Sequence, residues 1–142
     1  MDELKRREIA HGENNNFRKL LGIRVEDVQP GQAVLSLPVK EHILQSSRAV
    51  HGGILAVLVD SVIGTAVRSV LEEGATCVTA EMNINFIRPA TEGTIMSYGR
   101  IVHQGKTLVV GTADIKDDKG NLLACGRATY FIKRKENHQD SE

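Results

Sequence analysis

The sequence predicts an α+β domain in which an antiparallel sheet curls around one long buried helix. The chain has 142 residues, the usual size of a single domain. Residues 52–71 are apolar on nearly every side of a helix, a pattern typical of a buried helix. Four alternating segments follow, and their short turns favour antiparallel neighbours. Because such a helix cannot leave one face in water, the sheet must curl around it or a second molecule must cover it.

The first part of the chain predicts a surface helix and two short strands. Residues 3–21 mix apolar and charged residues, and the glycine and asparagines of 12–16 indicate a break in the helix. Residues 22–38 predict two strands around a turn at Pro30-Gly31. Residues 39–51 are polar and irregular, and they predict a loop that leads into the buried helix.

The predicted helix 52–71 is rich in β-branched residues, so tertiary packing must hold it helical, and Gly74 lies where it ends. The segments 76–88, 94–103, 107–116 and 121–133 then predict a four-stranded meander. The polar tail 134–142 is expected to be frayed. The sequence therefore predicts one domain over residues 1–142, with a core from about 17 to 133.

Charge and cysteine usage limit the classes of function. Lys and Arg number 18, as do Asp and Glu, so the formal net charge is zero. This balance argues against a nucleic-acid binder and a polybasic membrane-surface protein. The N-terminus is charged and no window reaches the roughly 18 apolar residues of a membrane span, so we expect a cytoplasmic protein. Cys77 and Cys125 lack CxxC spacing and are expected to be free, and the five histidines show no metal-ligand spacing.

Asp60 is the one acidic residue within the predicted buried helix. A carboxylate in apolar surroundings is unfavourable unless it is paired or functional. Arg68 is eight residues further on, about 12 Å along a helix, so it cannot be an intrahelical partner. Asp60 is therefore either a structural carboxylate paired elsewhere in the fold or a catalytic base or nucleophile.

His51-Gly52-Gly53 stands at the start of the same helix. Two glycines there indicate close approach of the backbone by another group, or simply a flexible entry to the helix. The first N–H groups of a helix have no intrahelical acceptor, and the helix dipole adds positive charge. These groups are suited to bind an anion or the oxyanion of an acyl-transfer reaction.

Together, Gly52 and Asp60 predict acyl transfer at a site shared between two subunits. The reaction needs donors at the carbonyl oxygen and a base or nucleophile near the carbonyl carbon. The two residues are about 12 Å apart along one helix, so one carbonyl group cannot contact both. The chemistry therefore predicts a homodimer whose helices lie side by side and antiparallel, with two equivalent sites.

Two further segments contain possible anion contacts. Gly105-Lys106-Thr107 ends like a phosphate loop, but Arg100 replaces the required glycine and a strand follows, so a P-loop is excluded. A hairpin turn remains, in which Lys106 is either solvated or in contact with a phosphate. Arg88 is likewise either a solvated strand end or an anion contact.

The segments His51-Gly52-Gly53 with Asp60, TAEMNINF at 79–86 and Arg88-Pro89-Ala90 together resemble the PaaI-like acyl-CoA thioesterases of the hotdog superfamily. The resemblance covers about residues 17–133, and the joint pattern is more specific than a lone glycine motif. It implies the hotdog fold, a curled antiparallel sheet around a long central helix. It also implies hydrolysis of an acyl- or aryl-CoA thioester by a homodimer, with pairing into a homotetramer, and no metal or redox cofactor.

The resemblance assigns the catalytic roles residue by residue. Asp60 matches the acid that acts as nucleophile or general base, and Gly52 matches the glycine whose N–H polarises the thioester carbonyl. His51 matches the histidine that shapes the turn, and Thr79 falls where a hydroxyl holds the water. Gln45 falls where many members have Asn and a related branch has Gln, and either amide orients the water or the thioester.

The remaining site residues are expected to bind substrate. Phe86 and the turn 103–108 fall where relatives contact coenzyme A, and the acyl group is not predicted. The sequence departs from the family in this region, because Arg48 replaces a frequent glycine. Gly64 also replaces a threonine found in the Gln-bearing branch one turn after its acid, so Thr79 is the expected water partner. The predicted substrate-binding residues are Gly53, Phe86, Arg88, His103, Gly105, Lys106 and Thr107.

Two other functions fit the same fold. A hydratase or dehydratase acting on acyl-CoA or acyl-carrier protein pairs a catalytic histidine with an acid, so His51 would have to reach the substrate. A non-catalytic acyl-CoA sensor usually carries a DNA-binding segment, and this chain has neither such a domain nor a basic excess.

Overall fold

Helices and strands follow the order that the sequence predicts. The computed structural model describes residues 1–135, so positions 136–142 of the predicted frayed tail lie outside the described residues. A short 3₁₀ helix, Glu41–Ile43, interrupts the predicted loop. The other elements are α1 Glu3–Glu13, α2 Asn16–Leu21, β1 Arg24–Gln29, β2 Gln32–Pro38, α3 Gly52–Arg68, β3 Thr76–Phe86, β4 Thr94–Gln104, β5 Leu108–Lys116 and β6 Leu122–Lys133.

The strands form one antiparallel sheet in the order β1-β2-β4-β5-β6-β3. The predicted four-stranded meander is wrong for β3, which pairs with β6 at the far edge. In a meander β3 would pair with the free edge of β4, but in this sheet β2 occupies that edge. The connection 87–93 can make this crossing because seven extended residues reach about 23 Å. The three strand spacings from β3 to β4 need only about 14 Å.

Helix α3 lies against the concave face of this sheet, as the hotdog architecture requires. Glycines on the strands allow the close approach: a Cβ at Gly99 would lie 2.8 Å from the main-chain oxygen of Val62. At Gly126 it would lie 2.7 Å from a methyl group of Val59. Six apolar residues of α3 are fully buried: Leu58, Val59, Val62, Ile63, Ala66 and Val67.

Helix α3 ends at Arg68, earlier than the predicted residue 71. The Ser69 hydroxyl donates to the main-chain oxygen of Ala66 and accepts from the Gly31 N–H. These bonds satisfy a helix-terminal carbonyl and join the helix end to the β1–β2 turn. The side chain of Ser69 therefore ends the helix before the apolar pattern does.

Residues 1–135 do not cover the helix on all sides. Arg18 of α2 donates to Ser61 O and Thr65 Oγ1 on its C-terminal half. Along the N-terminal half, Gly53 is exposed and Ile54, Ala56, Val57, Asp60 and Ser61 are only partly buried. The curled sheet, the first of the two expected solutions, therefore covers one side of α3 and leaves a partly buried stripe along its N-terminal half.

The ion pair between Glu8 and Arg68 joins α1 to α3. Arg68 Nε donates to Glu8 Oε1 and Arg68 Nη2 donates to Glu8 Oε2, both at 3.0 Å, and the Glu8 side chain is 8% exposed. We expect Glu8→Gln to lower the free energy of unfolding by about 3 kcal/mol, because it leaves a half-buried guanidinium without its counter-charge. Urea unfolding at fixed protein concentration measures this change.

Glu3→Gln is the matched control. Glu3 and Arg6 are 4.0 Å apart and about 70% exposed, so this pair should contribute little to stability. Equal unfolding midpoints for the two variants would show that the Glu8–Arg68 pair does not hold α1 in place.

Candidate active site

Asp60 lies at one end of a cavity of about 270 Å³ between the N-terminal helices, α3 and the strands β3 and β6. Its Oδ1 atom accepts a hydrogen bond of 2.7 Å from Thr79 Oγ1. The Tyr130 hydroxyl also donates to Asp60 and lies 2.5 Å from both Oδ1 and the main-chain oxygen. The carboxylate is partly buried and is hydrogen-bonded to hydroxyl groups of β3 and β6.

The sheet register brings the two hydroxyl groups together. Thr79 on β3 and Tyr130 on β6 are direct cross-strand partners. The register shifts immediately after Thr79, where a bulge places Ala80 outside the regular pairing. Bulges increase the local twist and re-aim side chains. Both hydroxyl groups point at the same carboxylate oxygen of Asp60.

Titratable groups around this cavity are perturbed chiefly by burial. Burial raises the pKa of Tyr130, and its hydrogen bond to Asp60 and the negative charge there raise it further. Tyr130 therefore remains a hydrogen-bond donor at physiological pH. Burial also raises the pKa of Cys77, so its free thiol stays protonated. Burial and the positive charge of Arg68 lower the pKa of His11, which favours the neutral imidazole.

Arg18 contributes a buried positive charge to the same cavity. It is 4% exposed, and its Nη1 atom has no hydrogen-bond partner among residues 1–135. Burial lowers its pKa, but a guanidinium remains charged at neutral pH. Together with the Asp60 carboxylate and the Glu8–Arg68 pair, it leaves this region close to neutral.

A second cavity, of about 320 Å³, lies at the N-terminal end of α3. Gln45, Gly52, Phe86 and Arg88 all line it, so the fold brings these four predicted residues together. It shares no lining residue with the Asp60 cavity. The two halves of the predicted catalytic set therefore lie in separate cavities of one chain.

Backbone bonds form the loop that carries Gln45. The Gln45 N–H donates to Ala49 O at 2.8 Å, and the Arg48 N–H donates to Gln45 O at 2.9 Å. Arg48 has a φ of 68°, in the left-handed region that favours glycine. This conformation explains why a glycine suits the position. The Arg48 side chain pairs instead with Glu41.

At the helix start, the aromatic ring of Phe86 approaches Gly52 closely. A Cβ at Gly52 would lie 3.1 Å from the Phe86 ring, whereas one at Gly53 would meet nothing within 4 Å. The N–H of Gly52 has no acceptor among residues 1–135. His51 shapes the turn through its backbone: its N–H donates to Ile43 O, and its carbonyl accepts from the Ile54 N–H. Its side chain is exposed and lines neither cavity.

The β4–β5 turn lies at the other end of α3 from Gly52. Gly105 borders a cavity of about 200 Å³ with Val70 and Leu71, just beyond the helix C-terminus. The main-chain oxygen of Lys106 accepts a hydrogen bond of 2.9 Å from Arg134. Three predicted substrate-binding residues of this turn are exposed and line neither the Asp60 cavity nor the Gly52 cavity: His103, Lys106 and Thr107.

Tyr130 and Arg18 are the residues of this region that the sequence did not reveal. Tyr130 occupies an inward position of an alternating strand, a position typical of core residues. Its hydroxyl is the one signal of another role, because a buried Tyr O–H needs a partner. Residues 1–135 contain no group of three His, Cys, Asp or Glu side chains placed to hold one metal ion. None of the helices they form is long and apolar enough to cross a membrane.

Comparisons with known proteins agree with this architecture. A sequence model of the thioesterase superfamily matches residues 48–124. Human acyl-coenzyme A thioesterase 13 is 35% identical over 120 residues, which cover 82% of this chain and 85% of the relative. The 1,4-dihydroxy-2-naphthoyl-CoA hydrolase of Listeria monocytogenes is 27% identical over 119 residues, covering 84% of this chain and 97% of that one.

Solved structures show the same arrangement of helices and strands. The crystal structure of a thioesterase family protein from Silicibacter pomeroyi superposes with a TM-score of 0.83 at 28% identity. The match covers 89% of this chain and 95% of that chain. With the family match and the fold in agreement, the chain belongs to the thioesterase superfamily, has its hotdog fold and is a thioester hydrolase.

Proposed function

We propose that the protein is an acyl-CoA thioesterase that hydrolyses an acyl- or aryl-CoA thioester to the carboxylic acid and free CoA. Asp60 of one subunit acts together with Gly52 and Gln45 of its partner. The names of two relatives support the substrate class, since one is an acyl-coenzyme A thioesterase and the other a CoA hydrolase. The observation that carries the assignment is the separation of the two half-sites into different cavities of one chain.

A homodimer with antiparallel α3 helices would bring these halves together. The partly buried stripe of α3 leaves an apolar surface to cover. Next to it lies the edge strand β3, whose outer side pairs with no strand of residues 1–135. Val78, Phe86 and Ile87 on or beside this edge are 44–56% exposed. Exposed apolar groups beside a free strand edge favour association with a second copy. Pairing of two such dimers would give the homotetramer.

The proposed reaction uses groups that the fold already orients. The Gly52 N–H donates to the thioester oxygen and stabilises the negative charge that develops there. Asp60 either attacks the carbonyl carbon, forming an anhydride that water then hydrolyses, or removes a proton from the attacking water. Collapse of the tetrahedral intermediate breaks the C–S bond, and the CoA thiolate then takes up a proton. Thr79 and Gln45 orient the carboxylate, the water or the thioester.

The two roles of Asp60 are separable by single turnover in isotopically labelled water. If Asp60 is the nucleophile and water then attacks the Asp60 carbonyl of the anhydride, the label enters the Asp60 carboxylate. If Asp60 is a general base, the labelled water attacks the thioester directly, so the label enters only the product acid. This chemistry requires neither a metal nor a redox cofactor, because the carboxylate and the helix N–H group supply both functions.

Recognition of coenzyme A is assigned to local cations. The net charge of zero gives no overall attraction for a polyanionic ligand. Antiparallel pairing would bring the C-terminal end of one α3, with its neighbouring β4–β5 turn, toward the Gly52 end of the other. His103, Gly105, Lys106 and Thr107 of that turn would then face coenzyme A with Gly53, Phe86 and Arg88 of the partner. The location proposed for the enzyme is the cytoplasm, on the charged character of residues 1–7.

A thiol-release assay over aryl, short-chain and long-chain CoA esters tests the activity. We expect release of free CoA from at least one ester class, with rates above the uncatalysed reaction. Binding of the esters without thiol release would contradict the enzyme assignment and favour the sensor. Water addition to an enoyl-CoA would favour the hydratase, for which His51 would have to reach the substrate.

A further inference from the structure

Tyr130 is the buried group that the proposed reaction leaves without a role. We propose that it is a positioning residue which, with Thr79, occupies Oδ1 of Asp60 and so leaves Oδ2 as the oxygen that reacts. The inference rests on the proposed function, because it assumes that Asp60 is the catalytic carboxylate.

Both donors converge on one oxygen of the carboxylate. Thr79 Oγ1 lies 2.7 Å and Tyr130 Oη 2.5 Å from Asp60 Oδ1. Oδ2 has no hydrogen-bond partner among residues 1–135. Hydrogen bonds to a carboxylate oxygen engage its lone pairs, so the unbonded oxygen is the better nucleophile or proton acceptor. The pair of donors also fixes the rotation of the carboxylate about its terminal bond.

The position of Tyr130 suits a fixed donor. The residue is 4% exposed, and its ring projects from the inner face of β6 to α3. Its hydroxyl also lies 2.5 Å from the main-chain oxygen of Asp60, so it contacts the residue at two points. The phenol has a single proton, but both oxygens within its reach belong to Asp60, so the buried hydroxyl is better placed to orient this residue than the exposed Thr79 hydroxyl alone.

The glycine at position 64 independently supports this placement of the Tyr130 hydroxyl beside Asp60. It lies one turn after Asp60 in the buried part of α3, where glycine destabilises a helix relative to alanine. A Cβ there would lie 3.1 Å from Tyr130 Oη and 3.4 Å from a guanidinium nitrogen of Arg68. The glycine therefore leaves the space that the Tyr130 hydroxyl needs in order to reach Asp60.

Tyr130→Phe tests the proposal with a change of one oxygen atom. Loss of a hydrogen bond to a charged group should reduce kcat about tenfold to hundredfold, with KM changed by less than about twofold. Gly64→Ala should also reduce kcat, because the added methyl group would lie 3.1 Å from Tyr130 Oη and shift the hydroxyl by a few tenths of an ångström. Tyr98→Phe is the control, since Tyr98 is 42% exposed on β4 and lies near Lys116. It should leave both constants unchanged.

The double variant Asp60→Asn/Tyr130→Phe separates positioning from a general structural effect. If Tyr130 acts through Asp60, the double variant should be no less active than Asp60→Asn alone. A further loss in the double variant, or a native kcat in Tyr130→Phe and Gly64→Ala, would overturn the proposal. These results differ from failure of the proposed function, which would appear as native activity in Asp60→Asn alone. Thermal unfolding of each variant confirms that comparisons are made between folded proteins.

Discussion

Asp60→Asn is expected to lower kcat for thioester hydrolysis about a thousandfold while the fold is unchanged. The amide has nearly the shape of the carboxylate, and its oxygen can still accept hydrogen bonds from Thr79 and Tyr130. It is a poor nucleophile and a poor base, so neither role proposed for Asp60 survives the change. The thiol-release assay measures the loss, and thermal unfolding checks the fold.

Asp114→Asn is the matched control for this variant. Asp114 is an exposed aspartate on β5, and the same change of charge there should leave turnover native. Near-native turnover in Asp60→Asn would remove Asp60 from the reaction. Equal losses in both variants would assign the effect to net charge and not to the site.

Much of this architecture could be predicted because it follows from local patterns. Continuous segments of sequence contain the apolar helix, the turn residues that separate it from the strands, and the glycines at its start. The 12 Å spacing of Gly52 and Asp60 follows from helix geometry alone. That spacing predicts two half-sites, and the fold places the two residues in separate cavities. Their roles in the reaction remain predictions.

Tyr130 could not be found in this way because its role depends on strand pairing over a long distance. A meander would place β3 beside β4, where Thr79 and Tyr130 cannot be partners. The sheet instead brings β3 to the outer edge of β6, and the two residues become direct neighbours. Which edge a strand takes is decided by the whole sheet, here by the pairing of β2 with β4. A single strand's alternation contains no such information.

Arg18 was missed for a related reason. Its helix is short and mixes charged with apolar residues, a pattern that predicts a solvated surface element. The structure buries its guanidinium against the main chain of Ser61 and the hydroxyl of Thr65. Burial of a charge depends on partners that only the folded chain supplies, so sequence patterns assign such residues to the surface.

Mixing two inactive variants is expected to restore activity if each site takes one half from each subunit. The Asp60→Asn variant lacks the carboxylate half of the site, and the Gly52→Val variant lacks the half formed by Gly52 and Gln45. At position 52 even a Cβ would lie 3.1 Å from the Phe86 ring, so valine should displace that ring and occupy the second cavity. In a mixed dimer, one site combines Asp60 from the Gly52→Val chain with Gly52 from the Asp60→Asn chain. That site contains no substitution.

Refolding the two variants together in equal amounts should recover about a quarter of native activity, because about half of the dimers are mixed and each has one intact site of two. The matched control mixes Asp60→Asn with Asp60→Ala, whose defects lie in the same half and cannot complement each other. Sites built within one chain would give no recovery in either mixture. Recovery in the first mixture alone would show that a single chain, however complete its fold, holds only half of each active site.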